Sequence, residues 1–254
     1  MSRIIAITNQ KGGVGKTTSA VNLAAGLALL ERRVLLIDLD PQGNATMGCG
    51  VDKHALGRSV YHLLLGHAEL ADVKVSTEHG FDVLPANREL GGAEVELIEL
   101  GRRELRLREA LVPARADYDF ILIDCPPALN LLTVNGLAAA DGVIIPMQCE
   151  YYALEGLTDL VNTLRKVRLA LNPRIEIDGL LRTLYDPRST LAQQVVAQLA
   201  QHFGDKVFNT VIPRNIRLAE APSYGRPIFA YDKSSRGALA YQELAAELLQ
   251  RFGK

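Results

Sequence analysis

Four short runs in this chain are apolar at every position: Ile4-Ile5-Ala6-Ile7, Val34-Leu35-Leu36-Ile37, Phe120-Ile121-Leu122-Ile123 and Val143-Ile144-Ile145. A strand with one wet face alternates apolar and polar residues. Uniformly apolar runs belong to strands covered on both faces, as in parallel sheets. Leu180-Leu181 leading to Leu184, and Val207-Phe208 leading to Val211-Ile212, extend the series. Between the first two runs lies Thr18 to Leu30, rich in helix formers and followed by Glu31-Arg32-Arg33. Strand, helix and strand in that order form a βαβ unit with a right-handed crossover. Repeated along the chain, the unit predicts a doubly wound, mostly parallel α/β sheet.

No linker, internal repeat or composition break divides the 254 residues, which predicts a single domain over 1–254. That length buries most of its apolar surface without disulfides. Cys49, Cys125 and Cys149 are odd in number and form no CxxC pair, so they read as small buried residues in a reducing, cytoplasmic setting. Met1-Ser2-Arg3-Ile4 leads straight into an apolar strand, with no secretory signal pattern. No apolar stretch has the length of a membrane span. A formal net charge of -1 leaves nucleic-acid binding to a local patch. Residues 87–109 read as one or two charged surface helices, with Arg102, Arg103, Arg106 and Arg108 interleaved with Glu99, Glu104 and Glu109. Ala240, Tyr241, Leu244, Ala245, Leu248, Leu249 and Phe252 recur at helical spacing. The polar side of that helix (Glu243, Glu247, Arg251) lacks the basic character of a membrane-surface helix, so it is expected to pack on the sheet.

The strongest chemical signal is Lys11-Gly12-Gly13-Val14-Gly15-Lys16-Thr17-Thr18, directly after the first apolar run. Glycines let such a loop wrap closely and turn backbone N–H groups toward a phosphate. A helix starting near Thr17 adds its positive end to the same point. Lys16 would reach the β- and γ-phosphates, and the Thr17 hydroxyl would ligate Mg²⁺. A glycine turn followed by a chance Gly-Lys-Thr is the plainer alternative, and the flanking strand and helix argue against it. The ordinary pattern asks for glycine where this chain has Gln10. Lys11 joined to the following glycines marks the deviant form of the motif. Asp38 and Asp40 follow the second apolar run and Asp124 the third. The carboxyl ends of such strands are where ligands sit in open α/β sheets, and a carboxylate there can hold Mg²⁺. Any one of the three could instead cap a helix.

These segments carry a family resemblance. KGGVGKTT, LLIDLDPQGN, ILIDCPP and the stretch from Val211 to Ser223 resemble the hallmark blocks of the ParA/Soj partition ATPases, and similarity runs from about residue 3 to residue 250. The resemblance implies an ATP/ADP and Mg²⁺ site at Lys11, Gly12, Gly13, Val14, Gly15, Lys16, Thr17 and Thr18. Pro213, Arg214 and Asn215 fall beside the adenine, and Thr17, Asp38 and Asp124 at the metal. It implies catalytic roles for Lys16, for Asp40 on the attacking water and for Lys11, which would enter the nucleotide site of a second copy in a homodimer. Gly12 would let the two loops approach. The resemblance further implies slow, partner-stimulated hydrolysis, non-specific DNA binding through Arg188, Arg217 and Arg236, and a centromere-binding partner of the ParB/Spo0J type. Arg182, Arg226 and Lys233 have weaker support as DNA contacts. A nucleoid-associated cytoplasmic protein without stable membrane association follows. Two other readings share the scaffold: a MinD-like membrane switch, and a metabolic enzyme such as an ATP-dependent amide-forming synthetase.

Overall fold

The computed structural model describes residues 2–253; Met1 and Lys254, the two ends of the expected domain, lie outside the described residues. The chain runs β1 (Arg3–Ile7), α1 (Lys16–Leu29), β2 (Val34–Asp38), α2 (Asn44–Gly48), α3 (Val60–Leu65), α4 (Leu70–Val73), β3 (Val75–Ser76), β4 (Asp82–Leu84), α5 (Leu90–Ile98) and α6 (Arg106–Ala110). It continues through β5 (Phe120–Asp124), α7 (Leu131–Ala139), β6 (Gly142–Met147), α8 (Ala153–Ala170), β7 (Glu176–Tyr185), α9 (Thr190–Phe203), β8 (Val207–Pro213), α10 (Ile216–Glu220), α11 (Ile228–Tyr231) and α12 (Arg236–Phe252). The strands form one sheet in the order β3-β4-β2-β5-β1-β6-β7-β8. All pairs are parallel except β3 with β4.

The uniformly apolar runs are the central strands, and their alternate side chains feed two separate cores. Ile4, Ala6, Leu35, Ile37, Ile121 and Ile123 point into one, with Leu97 of α5, Leu137 of α7 and Leu164 of α8. Ile5, Ile7, Leu36, Leu122 and Ile144 point into the other, with Leu23 and Leu27 of α1 and Leu244 and Leu248 of α12. Each strand is buried on both faces, which is why its sequence shows no alternation. The fold is the doubly wound sheet that the apolar runs predict.

Helix α12 packs as its apolar stripe requires, with Tyr241, Leu244, Ala245 and Leu248 buried. Its Glu247 carboxylate accepts the Asn209 and Thr210 backbone N–H groups at 2.9 Å, closing the free edge of β8. All three cysteines are buried. The charged segment 87–109 forms α5, α6 and the turn between them, from which Arg102 pairs with Glu109 of α6 and Arg103 with the adjacent Glu104. No described helix is long and apolar enough to cross a membrane.

Candidate functional site

Strand β1 sits between β5 and β6, so the loop leaving β1 emerges over the middle of the sheet. Gly13 and Gly15 adopt φ of 74° and 84°, left-handed values that a side chain would strain. Helix α1 begins at Lys16, one residue earlier than its composition suggests, and has no side-chain cap and no acidic residue in its first turn. Its leading N–H groups therefore face the cavity as a positive end open to an anion. The loop is tied down from both sides. Asn9 donates to the Pro146 carbonyl at 2.8 Å and accepts the Lys11 N–H at 3.0 Å. The Thr183 hydroxyl of β7 donates to the Val14 carbonyl at 2.7 Å.

A cavity of about 330 Å³ opens over this loop. One wall is Gly12, Gly13, Gly15, Lys16, Thr17 and Thr18, with Asp40 and Asn44 beside them. The opposite wall comes from later in the chain: Thr183, Leu184, Ile212, Asn215, Leu218 and Tyr241. Of the three residues expected beside the adenine, only Asn215 lines the cavity. Its Oδ1 caps α10 by accepting the Arg217 and Leu218 N–H groups. Pro213 ends β8 and Arg214 is exposed, both outside the lining. Leu184 holds φ of 50°, unusual for a bulky residue, where the β7–β8 register shifts. Sequence reasoning missed Thr183, Leu184, Leu218 and Tyr241. The only available signal was the polar Thr183 interrupting an apolar strand.

The two lysines of the loop face different surroundings. Lys16 is 7% exposed and its ammonium donates to the Lys11 carbonyl at 2.9 Å. Burial lowers its pKa, and the charges of Asp124 and Asp40 offset part of that. Lys11 does not line the cavity; its ammonium meets Glu150 at 2.6 Å with both side chains about half exposed.

The three carboxylates also separate. Asp38 ends β2 beside Asp124 of β5, and both are buried. Asp38 accepts the Thr46 N–H and hydroxyl, both at 2.8 Å, and the Asp40 N–H at 3.0 Å. Burial still pushes its pKa up to about 6. Both its oxygens are thus engaged in holding the loop to α2, and like Asp124 it lies outside the residues that line the cavity. Among the described residues, neither oxygen of Asp124 has a hydrogen-bond partner of good geometry. Burial drives its pKa well above the usual carboxylate range and the Asp38 charge adds to this, while the nearby Thr17 hydroxyl and Lys16 offset a part. A buried carboxylate with both oxygens orphaned, next to a hydroxyl and a phosphate loop, is a donor set suited to a divalent cation. Asp40 lies beyond the strand end, lines the cavity and turns the following loop by accepting the Gln42 N–H at 2.9 Å.

Relatives match over nearly the whole chain. The AAA domain family pattern covers residues 2–177. The sporulation initiation inhibitor protein Soj of Bacillus subtilis is 54% identical over 249 residues, 98% of each chain. The chromosome partitioning protein ParA of Caulobacter vibrioides is 52% identical over 252 residues, 98% of this chain and 94% of its own. This chain belongs to the ParA/Soj family of partition ATPases. Among solved structures, a Mycobacterium smegmatis protein described as cobyrinic acid a,c-diamide synthase, with bound ADP and magnesium, is 40% identical with a TM-score of 0.88, covering 100% of this chain and 96% of that one. The septum site-determining protein MinD of Pyrococcus horikoshii, complexed with Mg-ADP, is 29% identical with a TM-score of 0.80, covering 98% and 96%.

In this ParA/Soj chain the arginines expected to meet DNA stand in unequal settings. Arg188 is exposed and paired with Asp186, whose pKa its hydrogen bonds hold down at about 2. Arg217 pairs with Glu220 at 2.9 Å and with Asp232 at 3.5 Å. Arg236 is exposed at the first position of α12, and Lys233 and Arg226 are exposed nearby in sequence. Arg182 is different: its guanidinium is half-buried and donates to the Phe208 and Asn209 carbonyls at 2.8 and 2.9 Å. It fastens β7 to β8.

Proposed function

We propose that this chain is a one-domain, ATP-dependent dimerising switch for DNA segregation, cytoplasmic and nucleoid-associated. The observation that carries the reading is the division between the two lysines. Lys16 lines its own cavity, whereas Lys11 is held outside it by an exposed ion pair. Such pairs contribute only about 0–1 kcal/mol, a weak hold that a neighbouring nucleotide outcompetes. In this reading the phosphate loop N–H groups and Lys16 bind the β- and γ-phosphates of ATP. Thr17 and Asp124 hold Mg²⁺, and Asp38 keeps Asp40 in register by accepting its backbone N–H. When bound, Mg²⁺ supplies positive charge to the phosphate oxygens. Asp40 orients the attacking water, and Lys11 of the second copy offsets charge developing on the phosphates. Hydrolysis therefore waits on pairing, and a ParB/Spo0J-type partner accelerates it.

Paired subunits double each copy's set of exposed cations, with Arg188, Arg217 and Arg236 as contacts. Phosphate contacts of this kind give sequence-independent, salt-sensitive affinity. The test is Lys11→Ala. ATP turnover and ATP-dependent retention of DNA should both be lost while nucleotide binding by the single subunit persists; normal turnover in that variant refutes the reading.

A second reading, ATP-dependent amide formation, is favoured by the 40% identity to the mycobacterial protein so described. Release of ADP that depends on glutamine or ammonia, and not on DNA or dimerisation, would support it. The membrane-switch alternative is disfavoured because the apolar face of α12 is already buried against α1 and β8.

A further inference from the structure

Strand β7 breaks its own alternation where it meets the cavity. Successive side chains of a strand point to opposite faces of the sheet. Leu180 lies in the core covered by α7 and α8, and Leu181 in the core covered by α1 and α12. Alternation carried onward would send Leu184 to the first face and Tyr185 to the second. Instead Tyr185 packs on the first core, and Leu184 packs on neither among the described residues. Thr183 and Leu184, neighbours in sequence, both line the cavity.

The backbone shows how this is done. From Arg182 to Tyr185 β7 advances three residues, while β8 advances two, from Val211 to Pro213. One residue of β7 is therefore extra, and the strand carries a bulge. Leu184 sits inside it with φ of 50°. Left-handed backbone costs a leucine free energy that it would not cost a glycine. Bulges re-aim side chains, and strain of this kind persists only where its surroundings hold it. Both holds are visible. On one side the Thr183 hydroxyl donates to the Val14 carbonyl at 2.7 Å; on the other Tyr185 pairs with Pro213 and packs on the core. A leucine in neither core adds no packing, so folding of the chain gives no reason for the strain. The reason lies in what the side chain meets in the cavity.

The cavity has two kinds of wall. The loop from Gly12 to Thr18 offers backbone N–H groups and the Lys16 ammonium, which suit phosphates. Opposite stand Leu184, Ile212 and Leu218, all apolar. The polar atoms on that side are largely engaged: the Tyr241 hydroxyl with Ser19 at 3.0 Å, and the Asn215 Oδ1 with the start of α10. Such a wall offers little to a phosphate or a sugar hydroxyl and suits the face of a flat base.

We propose that the bulge at Leu184 turns its side chain onto the base of the bound nucleotide, making Leu184 a platform that is set before the nucleotide arrives. Thr183 holds the phosphate loop and Leu184 the base, so two consecutive residues fix the span between the two grips. A contact set in advance costs no ordering on binding. This deepens the proposed function and rests only on its ATP-binding part, not on pairing or DNA.

Calorimetric titration of the full chain with magnesium tests it, using a non-hydrolysable ATP analogue and inorganic tripolyphosphate, which has the phosphates and no base. Leu184→Ala should bind the analogue about tenfold more weakly, as loss of a leucine contact does, and tripolyphosphate within about twofold of wild type. Without ligand it should melt as wild type does, since the side chain supports no core. Leu184→Gly should lose the same affinity for the analogue yet melt above Leu184→Ala, because glycine takes left-handed backbone without strain. Leu184→Met, of similar volume, should keep affinity for the analogue within about threefold. An analogue affinity within about twofold of wild type in both the alanine and glycine variants overturns the proposal. So does an equal loss for both probes, which would mean that the phosphate loop had moved. A lower melting temperature of Leu184→Ala without ligand, or its failure to fold, makes the leucine structural and overturns the proposal as well. Wild type that holds tripolyphosphate as tightly as the analogue overturns the proposal alone; wild type that binds neither overturns the proposed function with it.

Discussion

Thr183 gives the sharpest single-residue prediction. Its hydroxyl donates to the Val14 carbonyl at 2.7 Å, across 169 residues of sequence, and the bond is buried. Replacing it with valine keeps the branched shape that stands 3.8 Å from where a Cβ on Gly15 would lie. Only the donor is removed, leaving the Val14 carbonyl buried and unpaired. A group orphaned in this way costs about 1–3 kcal/mol. If that falls on the conformation of the phosphate loop, nucleotide affinity drops about 5- to 150-fold, since 1.4 kcal/mol is a factor of ten. Calorimetric titration with a non-hydrolysable ATP analogue and magnesium, well below the melting temperature, measures it. Falling on global stability instead, the same loss lowers the melting temperature by roughly 2–4 °C per kcal/mol for a domain of this size. An affinity within about twofold of wild type, together with a lowered melting temperature, would refute the role of Thr183 in shaping the loop.

Asp124 has its pKa raised in the folded state. The folded chain therefore holds that proton more tightly than the unfolded chain, and wild-type stability falls as pH rises from the usual carboxylate value through the folded one. Without divalent cation, Asp124→Asn should melt higher than wild type at pH 8, with the gap closing toward pH 4; magnesium should stabilise wild type alone. Gly179→Ala places a Cβ 2.2 Å from the Phe208 ring and should cost about 1–3 kcal/mol or more by thermal melting, whereas Gly156→Ala in α8 meets nothing within 4 Å and should stabilise by up to about 1 kcal/mol. Arg236→Glu should lower DNA affinity in the ATP state and flatten its salt dependence by about one unit of slope, without a stability change. Arg182→Ala should do the reverse, lowering the melting temperature through the lost bonds to Phe208 and Asn209 while the salt slope stays as in wild type.

What was legible in the sequence is what local pattern determines. The central strands announce themselves because burial on both faces removes every polar position, and the phosphate loop because Gly13 and Gly15 must adopt left-handed backbone next to a helix start. Strands β3 and β4 escaped notice because they are two and three residues long, too short for a pattern to show, with β3 at the sheet edge and β4 beside it. Asp38 and Asp124 look equivalent on paper, each closing an apolar strand. They part company because Thr46, eight residues after Asp38, satisfies one carboxylate, while Asp124 meets no hydrogen-bond partner of good geometry among the described residues. The far wall of the cavity joins Thr183, Leu218 and Tyr241 to a loop more than a hundred residues away, a closeness set by the crossovers β6–β7–β8. The partners of the arginines were half readable: Glu220 stands three residues after Arg217 and Asp186 two before Arg188, but Asp232 reaches Arg217 only through the fold.

The central claim is that a lysine from one copy completes the nucleotide site of another. Light scattering of the Asp40→Ala variant with saturating ATP and magnesium tests it most directly. The expected mass is twice the 27.7 kDa of the single chain, returning to 27.7 kDa when Lys11→Ala is added. A mass of 27.7 kDa for Asp40→Ala alone, or a pair that persists without Lys11, would contradict it.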